Sequence, residues 1–486
     1  MLVFVPSTET LSEEASKRLL SPFGLPFAVE RIALTIDDAC AAANSIGYPV
    51  VVKVSGDTIA HKTERGLVRL RLADEEAVRN ACTDLLGRVT AADGQVSFLV
   101  AQMVSGNREF IAGVITDPQF GRMAVLGVGG VLAEAIDDVA LSPLPLKERD
   151  ALSMMKSLRH QKMLGEFRGE AALDARSVLS VLNGLSAACD ANPDIYSIDI
   201  NPLIVTASGE LVAVDALVEL HKVRSSKKFF EDQHPVARSN RHFDALFNPN
   251  GVVIVGASSH PGKFGFVSLH NALANNFKGQ VFATNLQQEN ILGVQTVADL
   301  AELPVGEIDL AFFCTPASSN EALLKQCSQL GISSAFIASA GYRESGEAGE
   351  VAEASLLKLA NSLGMLIAGP NGQGVVSTPA SLCLQIVAPY PPQGGISVAS
   401  QSGNFVSSFL NYAKQSGVGI ARAISAGNAT QVSVENFLNY FASDDETKVA
   451  LTYIENVGNG ESLLRAMRNI TAVKPLVVLK GGATAA

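Results

Sequence analysis

Short apolar runs alternate with amphipathic segments along the chain, the pattern of a mixed α/β protein. The run PVVVKV at 49–54 is continuous and rich in β-branched residues, which predicts a buried strand. Before it, TIDDACAAANSIG predicts a helix that begins after an N-cap at Thr35 and stops at Gly47. SEEASKRLL at 12–20 and EEAVRNACTDLLGRV at 75–89 predict two more helices, and SFLVAQMV, FIAGVITD and RMAVLGVG predict strands.

The second half of the chain alternates strands and helices more regularly. GVVIVGAS, QVFATN, IDLAFFCT, SSAFIASAG and MLIAGPN predict strands, with helices near 266–275, 319–330 and 347–363. This alternation favours a parallel, doubly wound sheet. A last α/β segment runs from GGISVASQSGN through ARAISAGN and KVALTYIE to KPLVVLKGG, with a helix near 460–471. The stretch at 221–243 is the most charged and least periodic, and we interpret it as an interdomain linker.

Composition narrows the class of protein. A chain of 486 residues with 47% hydrophobic residues and 41 glycines should divide into about three globular domains. The net charge of −11 argues against nucleic acid as a partner. No apolar run is long enough for a membrane span, and the N-terminus lacks the basic start of a signal peptide. Six scattered cysteines without CxxC spacing suggest reduced thiols and a cytoplasmic protein.

Two segments of the first half predict a site for ATP and Mg²⁺. Lys53 lies at the end of a predicted buried strand and is followed by a loop that carries His61. In SIDINPLIVTASGELVAVDALVEL, read as two strands joined by a Gly turn, Asp199 and Asn201 share one strand face and Asp215 lies across the turn. A lysine can bind phosphate, and clustered oxygens suit Mg²⁺. The alternative is a polar hairpin face without a ligand.

Glycine-rich turns in the second half predict anion-binding loops. In VVIVGASSHPGKFG (252–265), small residues follow a strand and precede a helix, where backbone N–H groups can bind a pyrophosphate, and Lys263 adds positive charge. The spacing is not GxGxxG, so the nicotinamide fingerprint is absent. A structural βα turn is the alternative. GPNGQG (369–374) ends another strand at the same sheet edge.

A third loop, ASQSGN (399–404), also lies between a strand and a helix. We expect the helix N-terminus to expose unpaired amides at Ser402, Gly403 and Asn404, which would bind phosphate. Ordinary capping by serine is the alternative. Glu455 ends the strand KVALTYIE and could accept a hydrogen bond from an imidazole, or be a surface carboxylate.

Together these motifs resemble the ADP-forming (NDP-forming) acyl-CoA synthetases, the acetate–CoA ligase family related to succinyl-CoA synthetase. GYPVVVKV, HKTERGLV, TDPQFGRMAVLGVGGVLAE and SIDINPLIV resemble its ATP-grasp part. NPNGVVIVGAS, SAGYRESGE and GPNGQG resemble its CoA-binding Rossmann domain, and ISVASQSGN, SAGNATQV, TYIENVGNG and VVLKGG the domain after it.

The resemblance implies an α/β fold with an ATP-grasp domain at 1–225 and a linker at 226–243. A CoA-binding Rossmann-like domain at 244–378 would follow, and then a flavodoxin-like, succinyl-CoA-synthetase-type domain at 379–486 that we expect to be truncated.

It also implies an acid–CoA ligase that interconverts carboxylic acid, CoA and ATP with acyl-CoA, ADP and phosphate, through an acyl phosphate and a phosphohistidine. The cofactors would be Mg²⁺, ATP/ADP and coenzyme A, and the partners small molecules, with neither nucleic acid nor membrane and with a possible homo-oligomer.

The resemblance also assigns residues, grouped here by expected role: catalytic His61 (a phosphoryl carrier) and Glu455; ATP-binding Lys53, Gln102, Val104, Glu109, Gly129 and Gly130; metal-binding Asp199, Asn201 and Asp215; CoA-binding Gly256, Ser258, Ser259, Lys263 and Asn285; phosphate-binding Gly369, Asn371, Ser400, Gln401, Ser402 and Gly403.

One departure from the family concerns its main phosphohistidine, which lies shortly after the VVLK-x-G strand. This sequence ends at KGGATAA, before that position, so we expect a truncated ligase that binds Mg-nucleotide and CoA without completing the relay. A regulatory module that binds nucleotide or acyl-CoA without turnover is the alternative. A cofactor-dependent dehydrogenase is more distant, since GxGxxG and an acidic ribose anchor are missing.

Overall fold

The computed structural model describes residues 8–56, 65–90, 93–130, 137–221, 239–387 and 389–482. The chain divides into two compact units, Met1–Phe229 (unit 1) and Phe230–Ala486 (unit 2). Most of the predicted linker at 226–243 lies outside the described residues. Its last residues are described, and there a helix begins at Asn240. The three-domain division with its boundaries stays a prediction.

Unit 1 contains two antiparallel sheets and several helices. Its strands are β1 (Thr8–Thr10), β2 (Glu30–Ala33), β3 (Val50–Ser55), β4 (Val68–Leu72), β5 (Ser97–Gln102), β6 (Arg108–Asp117), β7 (Gly121–Val128), β8 (Val139–Pro143), β9 (Ile195–Val205), β10 (Leu211–Ala213) and β11 (Leu217–His221). Its helices are α1 (Glu13–Leu20), α2 (Ile36–Ile46), α3 (Glu75–Leu86), α4 (Glu148–Ser157) and α5 (Ala175–Ala191).

The larger sheet of unit 1 has the order β1-β11-β9-β6-β7-β8, with β10 paired to β9, and the smaller sheet has the order β2-β5-β3-β4. The fully buried strand β3 confirms the prediction from the run PVVVKV. Helix α2 begins after Thr35, whose hydroxyl accepts from the Asp38 amide at 3.1 Å, and it ends before Gly47, as predicted. Each sheet has its own hydrophobic core with the helices that cover it.

Unit 2 contains a parallel sheet and a mixed sheet. Its strands are β12 (Gly251–Val255), β13 (Gln280–Thr284), β14 (Asn290–Ile291), β15 (Val294–Gln295), β16 (Leu310–Phe313), β17 (Ser334–Ile337), β18 (Leu366–Ala368), β19 (Gly374–Ser377), β20 (Leu382–Gln385), β21 (Gln393–Ser400), β22 (Ile420–Ser425), β23 (Val449–Ile454) and β24 (Leu476–Lys480). Its helices are α6 (Asn240–Phe247), α7 (Phe264–Ala274), α8 (Ala317–Gln329), α9 (Glu347–Ser362), α10 (Gly403–Ser416), α11 (Val434–Ser443) and α12 (Gly460–Thr471).

The order β13-β12-β16-β17-β18, with every pair parallel, confirms the predicted doubly wound sheet. The second sheet has the order β20-β19-β22-β21-β23-β24, in which β19 and β20 run antiparallel to their neighbours. One hydrophobic core is shared by helices and strands of both sheets, so unit 2 folds around a common interior. Because the carboxyl ends of parallel strands meet at one edge, the glycine-rich loops that follow these strands are gathered there.

A buried ion pair stabilises the opposite end of the second sheet. Arg422 on β22 is 2% exposed, and its guanidinium lies 3.2 Å from Asp444 Oδ1 and donates to Asn248 Oδ1 at 2.7 Å. Desolvation acts to raise the pKa of Asp444, but hydrogen bonds from Arg422 and Thr447 outweigh it and hold that pKa below its ordinary value. Inside the protein, the charge of the arginine is therefore balanced by the Asp444 carboxylate, and its N–H groups have hydrogen-bond acceptors.

We predict that Asp444→Asn destabilises unit 2 by about 3 kcal/mol or more, because it leaves the Arg422 charge buried without its counter-ion. Urea unfolding followed by circular dichroism measures the loss. Asp445→Asn, at the exposed neighbouring position, is the matched control and should leave the midpoint unchanged.

The contribution of the Arg422–Asp444 pair to the stability of unit 2 should decrease at low pH. Since the folded-state pKa of Asp444 is depressed, its contribution is present above the unfolded-state pKa of about 3.9 and is lost as the pH falls through the folded-state value. Equal urea midpoints for the two variants at neutral pH would contradict the prediction.

In the described part of the chain, no helix combines the length and apolar character needed to cross a membrane.

Candidate functional site

Lys53 lies on β3 with its side chain buried between α1 and the connection from β10 to β11. Its Nζ donates to Glu13 Oε1 at 2.8 Å and to the Val214 carbonyl at 3.2 Å, and lies 3.5 Å from Asp215 Oδ2. Desolvation lowers the pKa of a buried lysine, but the carboxylates of Glu13 and Asp215 outweigh this and raise the pKa of Lys53. The ammonium is therefore charged, as an anion-binding lysine must be.

The predicted metal-binding residues lie next to one another in the larger sheet. Asp199 and Asn201 are on the exposed face of β9, and Leu217, two residues after Asp215, is paired with Asp199. Desolvation, together with the neighbouring Asp215 carboxylate, raises the pKa of Asp199. The structure thus brings together two carboxylates and an amide oxygen, a donor set that suits Mg²⁺.

The hairpin prediction for this region was wrong in one respect. Instead of two strands there are three, because β10 ends at Ala213 and β11 begins at Leu217. Asp215 lies in the break, where its Oδ1 accepts from the Ala216 amide at 2.8 Å. The break lets Asp215 leave the ladder and reach Lys53.

Within the residues that the structure describes, no group of three or more His, Cys, Asp and Glu side chains is placed to hold a metal ion. Mg²⁺ at Asp199, Asn201 and Asp215 would therefore depend on water and ligand phosphates for much of its coordination, which is its usual behaviour in nucleotide sites.

Glu109, Gly129 and Gly130 form a second group in unit 1. The Gly129 amide donates to the Glu109 carbonyl at 2.8 Å. A Cβ at Gly129 would lie 2.9 Å from the Phe110 carbonyl carbon, and Gly130 has φ +94° with Glu109 Oε2 3.6 Å from where its Cβ would be. At both glycines the backbone therefore passes close to Glu109. The sequence analysis assigned Glu109 and these two glycines to the same predicted ATP site.

Gln102 and Val104 lie at the crossing between the two sheets of unit 1. Gln102 ends β5, its amide donates to the Val29 carbonyl at 2.9 Å, and residues 103–107 lead directly into β6. His61, the predicted phosphoryl carrier, lies outside the described residues.

A buried arginine that sequence reasoning missed anchors the start of β6. The Arg108 side chain is fully buried, pairs with Glu170 at 3.2 Å and donates to the Gly165 carbonyl at 2.6 Å. Glu170 Oε1 also accepts from the Asn107 amide at 3.0 Å. This network fixes the backbone immediately before Glu109.

The predicted CoA-binding residues gather at the carboxyl ends of β12 and β13. Gly256 has φ +86°, and its amide donates to Thr284 Oγ1 at 3.1 Å. Asn285 Nδ2 donates to the Ala257 carbonyl at 3.0 Å, so the two strand ends are tied together.

The loop from β12 then leads to the helix start. Ser258 Oγ accepts from the His260 amide at 3.1 Å, Ser259 is exposed, and Lys263 is the exposed N-cap residue of α7. Lys263 and the N-terminus of α7 therefore lie at the end of this loop.

The loop GPNGQG contacts the loop after β22. Asn371 has φ +59°, and its Nδ2 is 3.5 Å from Asn428 Oδ1, while the Asn428 amide donates to the Pro370 carbonyl at 2.8 Å. Asn428 Nδ2 is in turn 2.7 Å from both Glu344 and Glu353. Gly369 has no side chain, but its carbonyl oxygen accepts a hydrogen bond from the Thr430 backbone amide at 3.3 Å.

The SQSG loop lies directly against Glu455. Gln401 Oε1 accepts from the Glu455 amide at 2.8 Å and from the Asn456 amide at 2.9 Å, and Lys480 Nζ donates to the Glu455 carbonyl at 2.9 Å. The Glu455 backbone is thus fixed while its side chain is exposed. The structure brings together the predicted phosphate loop and the predicted catalytic carboxylate.

The expectation of an unpaired Ser402 amide was wrong. This amide donates to Ser400 Oγ at 3.0 Å, and Ser402 Oγ caps α10 by accepting from the Phe405 amide at 3.4 Å. The short side chain of Ser400, two residues before Ser402, competes for this donor. Gly403 remains at the helix start, where an added Cβ would lie 2.5 Å from the Gln373 side chain.

Three residues near these sites, Glu13, Lys17 and Asn428, had signals in the sequence that were not used. Glu13 and Lys17 have the i,i+4 spacing of a helical ion pair, but their burial became visible only in the fold. Asn428 lies in SAGNATQV, a motif of the resemblance to which no role was given.

We predict that Gly427→Ala separates the loops around Asn371 and Asn428. Gly427 has φ +57°, and a Cβ there would lie 2.2 Å from the Pro370 carbonyl oxygen. The variant should lose clearly more stability than Gly417→Ala, which has φ +75° but open space and should cost only about 1 kcal/mol from its backbone conformation. Thermal unfolding of both variants tests this, and equal losses would contradict it.

Comparison with known families matches three successive parts of the chain. The ATP-grasp domain model matches residues 6–220, the CoA binding domain model residues 250–378, and the model of the succinyl-CoA ligase like flavodoxin domain residues 393–486. These matches confirm the predicted fold class and the order of its parts.

Among curated proteins, the chain is similar to an ADP-forming acetate–CoA ligase II of Archaeoglobus fulgidus, with 31% identity over 477 residues, 98% of this chain and 68% of that protein. It is also similar to two subunits of an ADP-forming acetate–CoA ligase II of Pyrococcus furiosus. The alpha subunit is 31% identical over 49% of this chain and 52% of its own length, and the beta subunit 32% identical over 45% and 94%.

Proposed function

Because the chain belongs to the ADP-forming acetate–CoA ligase family, we propose that it acts as an acid–CoA ligase. The reaction would interconvert a carboxylic acid, CoA and ATP with acyl-CoA, ADP and phosphate. The observation that carries this proposal is the placement of the buried Lys53 ammonium beside Asp215, next to Asp199 and Asn201.

Unit 1 would bind the nucleotide. Lys53 supplies a charged donor for its phosphates, and Glu109, with the close backbone of Gly129 and Gly130, lines a surface for the rest of the nucleotide. Gln102 and Val104, between the two sheets, would complete this surface.

Mg²⁺ would be held by Asp199, Asn201 and Asp215, and when bound it would neutralise phosphate charge. Desolvation, followed by the neighbouring Asp215 carboxylate, raises the pKa of Asp199, and a divalent cation would relieve the repulsion between the two carboxylates.

Unit 2 would bind CoA and the transferred phosphoryl group. Gly256, Ser258, Ser259, Lys263 and Asn285 would face the CoA pyrophosphate at the start of α7. Gly369, Asn371, Ser400, Gln401, Ser402 and Gly403 would hold phosphate at the adjacent sheet edge.

The group transfer would proceed through a phosphohistidine and an acyl phosphate. ATP would transfer its γ-phosphoryl group to an imidazole and leave as ADP. The carboxylate oxygen would then take this group from the imidazole to give an acyl phosphate, and the CoA thiolate would attack the acyl carbon and release phosphate. His61 is proposed to carry the phosphoryl group at the nucleotide end. Glu455, fixed through Gln401, would orient an imidazole at the other.

Isothermal titration with Mg-ADP tests the nucleotide site. Lys53→Met should weaken ADP binding about tenfold or more, because a charge-assisted hydrogen bond to phosphate is lost. Lys156→Met, at an exposed position on α4, is the matched control and should bind ADP as the wild type does. Wild-type affinity in Lys53→Met would contradict the assignment of Lys53.

Titration with CoA tests unit 2. Lys263→Ala should weaken CoA binding about fivefold, as expected for one solvent-exposed charge at a phosphate. Lys278→Ala, whose ammonium donates to the Pro379 carbonyl, should have no effect. An equal loss in both variants would mean that only general charge matters.

Turnover separates a ligase from a binding module. ADP formation that requires CoA and a carboxylic acid, and acid-labile label on His61 from γ-phosphate-labelled ATP, would support the ligase. Binding of ADP and CoA with no label and no turnover would instead favour a regulatory module.

The six cysteines are free thiols, which suits the reducing cytoplasm. Association into a homo-oligomer is suggested by Val477, Val478 and Leu479, which are 41–48% exposed on the edge strand β24, and light scattering would measure it.

A further inference from the structure

Two carboxylates of unit 2 lie against the side chain of Asn428. Its Nδ2 donates to Glu344 Oε2 and to Glu353 Oε2, both at 2.7 Å. Glu344 follows β17, whereas Glu353 lies on α9 and is 4% exposed. Asn428 itself follows β22, a strand of the mixed sheet. The contact therefore joins a loop of the mixed sheet to a loop and a helix of the parallel sheet.

These contacts determine which way the Asn428 amide points. An asparagine amide has two N–H donors and one acceptor oxygen, and its partners decide how it is oriented. Because carboxylates only accept, the nitrogen of Asn428 turns toward Glu344 and Glu353 and its Oδ1 turns away from them. There Oδ1 lies 3.5 Å from Nδ2 of Asn371. The two carboxylates thus present an acceptor oxygen to the Asn371 side chain.

Asn371 belongs to the GPNGQG loop, which is predicted to hold phosphate. Its backbone amide donates to the Ser339 carbonyl at 3.0 Å, and its side chain is exposed. With one N–H of Nδ2 turned toward Asn428, the other N–H remains for a ligand. Phosphate oxygens accept hydrogen bonds, so an Asn371 amide held in this orientation offers phosphate a donor.

We propose that Glu353 is a positioning residue for phosphate binding, which fixes the orientation of the Asn428 amide and, through it, that of the Asn371 amide. This inference rests on the proposed role of the GPNGQG loop in holding the transferred phosphate. Glu353 acts through Asn428, since a carboxylate in direct contact with phosphate would repel it.

Glu353 suits this role better than the exposed Glu344 because other contacts also hold it in place. Its Oε2 accepts from the Arg343 backbone amide at 3.2 Å, and its Oε1 accepts from the hydroxyl of Thr430. The Thr430 backbone amide in turn donates to the Gly369 carbonyl at 3.3 Å. One buried carboxylate therefore holds two residues of the loop after β22 that contact the GPNGQG loop.

The test measures the binding of inorganic phosphate to the full chain by phosphorus NMR titration. Glu353→Leu and Glu353→Gln both remove the carboxylate charge, but only glutamine keeps an oxygen that can accept from Asn428. Glu353→Leu should weaken phosphate binding about fivefold, as expected when one hydrogen bond is no longer oriented. Glu353→Gln should recover most of this loss, and equal affinities in the two variants would overturn the proposal.

Glu350→Gln is the matched control, because Glu350 is exposed on the same helix and should not affect phosphate binding. A loss of affinity in this variant as large as that in Glu353→Leu would mean that any change on α9 disturbs the loop, and it would overturn a specific role for Glu353.

A double-mutant cycle tests whether Glu353 acts through Asn428. Asn428→Ala removes the amide that faces Asn371 and should weaken phosphate binding about as much as Glu353→Leu does. The double variant should bind no more weakly than Asn428→Ala alone, because the group that connects Glu353 to Asn371 is already absent. Additive losses would contradict the proposal. Asn428 is only partly buried, so Asn428→Ala serves if Glu353→Leu does not fold, and wild-type affinity in it would overturn the proposal.

Failure of the underlying function has a different signature. If Asn371→Ala binds phosphate as tightly as the wild type, or if neither protein binds it, the GPNGQG loop does not hold phosphate and the proposed phosphate site fails. If Asn371→Ala loses affinity while Glu353→Leu and Asn428→Ala match the wild type, only the positioning role of Glu353 is overturned.

Discussion

A lysine that must stay charged inside a protein needs carboxylates around it, and much of unit 1 is arranged to supply them to Lys53. The carboxylate of Glu13 arrives from α1 and that of Asp215 from a break in the strand pairing. Without the break between Ala213 and Leu217, Asp215 would lie in a regular ladder and could not leave it toward the lysine. The irregular backbone around Asp215 therefore follows from the need to place a carboxylate beside the buried Lys53 ammonium.

Unit 2 meets a different constraint, the close approach of several loops at one sheet edge. The loops after β18 and β22 touch through backbone atoms, and an added Cβ at Gly427 would lie 2.2 Å from the Pro370 carbonyl oxygen. The side-chain amide of Asn428 donates hydrogen bonds to two carboxylates, those of Glu344 and Glu353. Glycines, the Asn428 amide and the ion pair between Arg343 and Glu353 therefore shape this edge, whereas buried lysines and carboxylates shape the cluster at Lys53.

Sequence patterns predicted the regular elements well because local physics determines them. The continuous apolar run of β3, the N-cap of α2 and the strand–helix alternation of the parallel sheet all appeared as expected. Helices α4, α5, α6 and α11 were not predicted. The antiparallel pair β19–β20 was also missed, because short apolar segments do not reveal how they pair.

The residue types of the candidate site could be predicted from the sequence, but the contacts between these residues could not. The residue types at Lys53, Asp199 and Asp215 indicated the chemistry, and the fold places them together. Nothing local to SEEASKRLL shows that Glu13 is buried while Glu14 is exposed, since that depends on how α1 packs against strands remote in sequence. For the same reason, the Ser400 hydroxyl that occupies the Ser402 amide could not be foreseen from capping preferences alone.

The contrast between the two units bears on a phosphoryl relay. A nucleotide must be held firmly through its phosphates, and a cluster of buried charges with a fixed lysine achieves that. A site that passes the phosphoryl group on must also release it. The loops around Asn371 and Gln401 offer amide groups, and the carboxylates of Glu344 and Glu353 lie beside the first of these loops through Asn428. An amide that donates to a phosphate oxygen lacks the full positive charge of an ammonium, and a nearby carboxylate repels the phosphate, so phosphate would be bound there less tightly than beside Lys53. On the proposed function, the distribution of charge between the two units sets where the phosphoryl group rests and where it only passes.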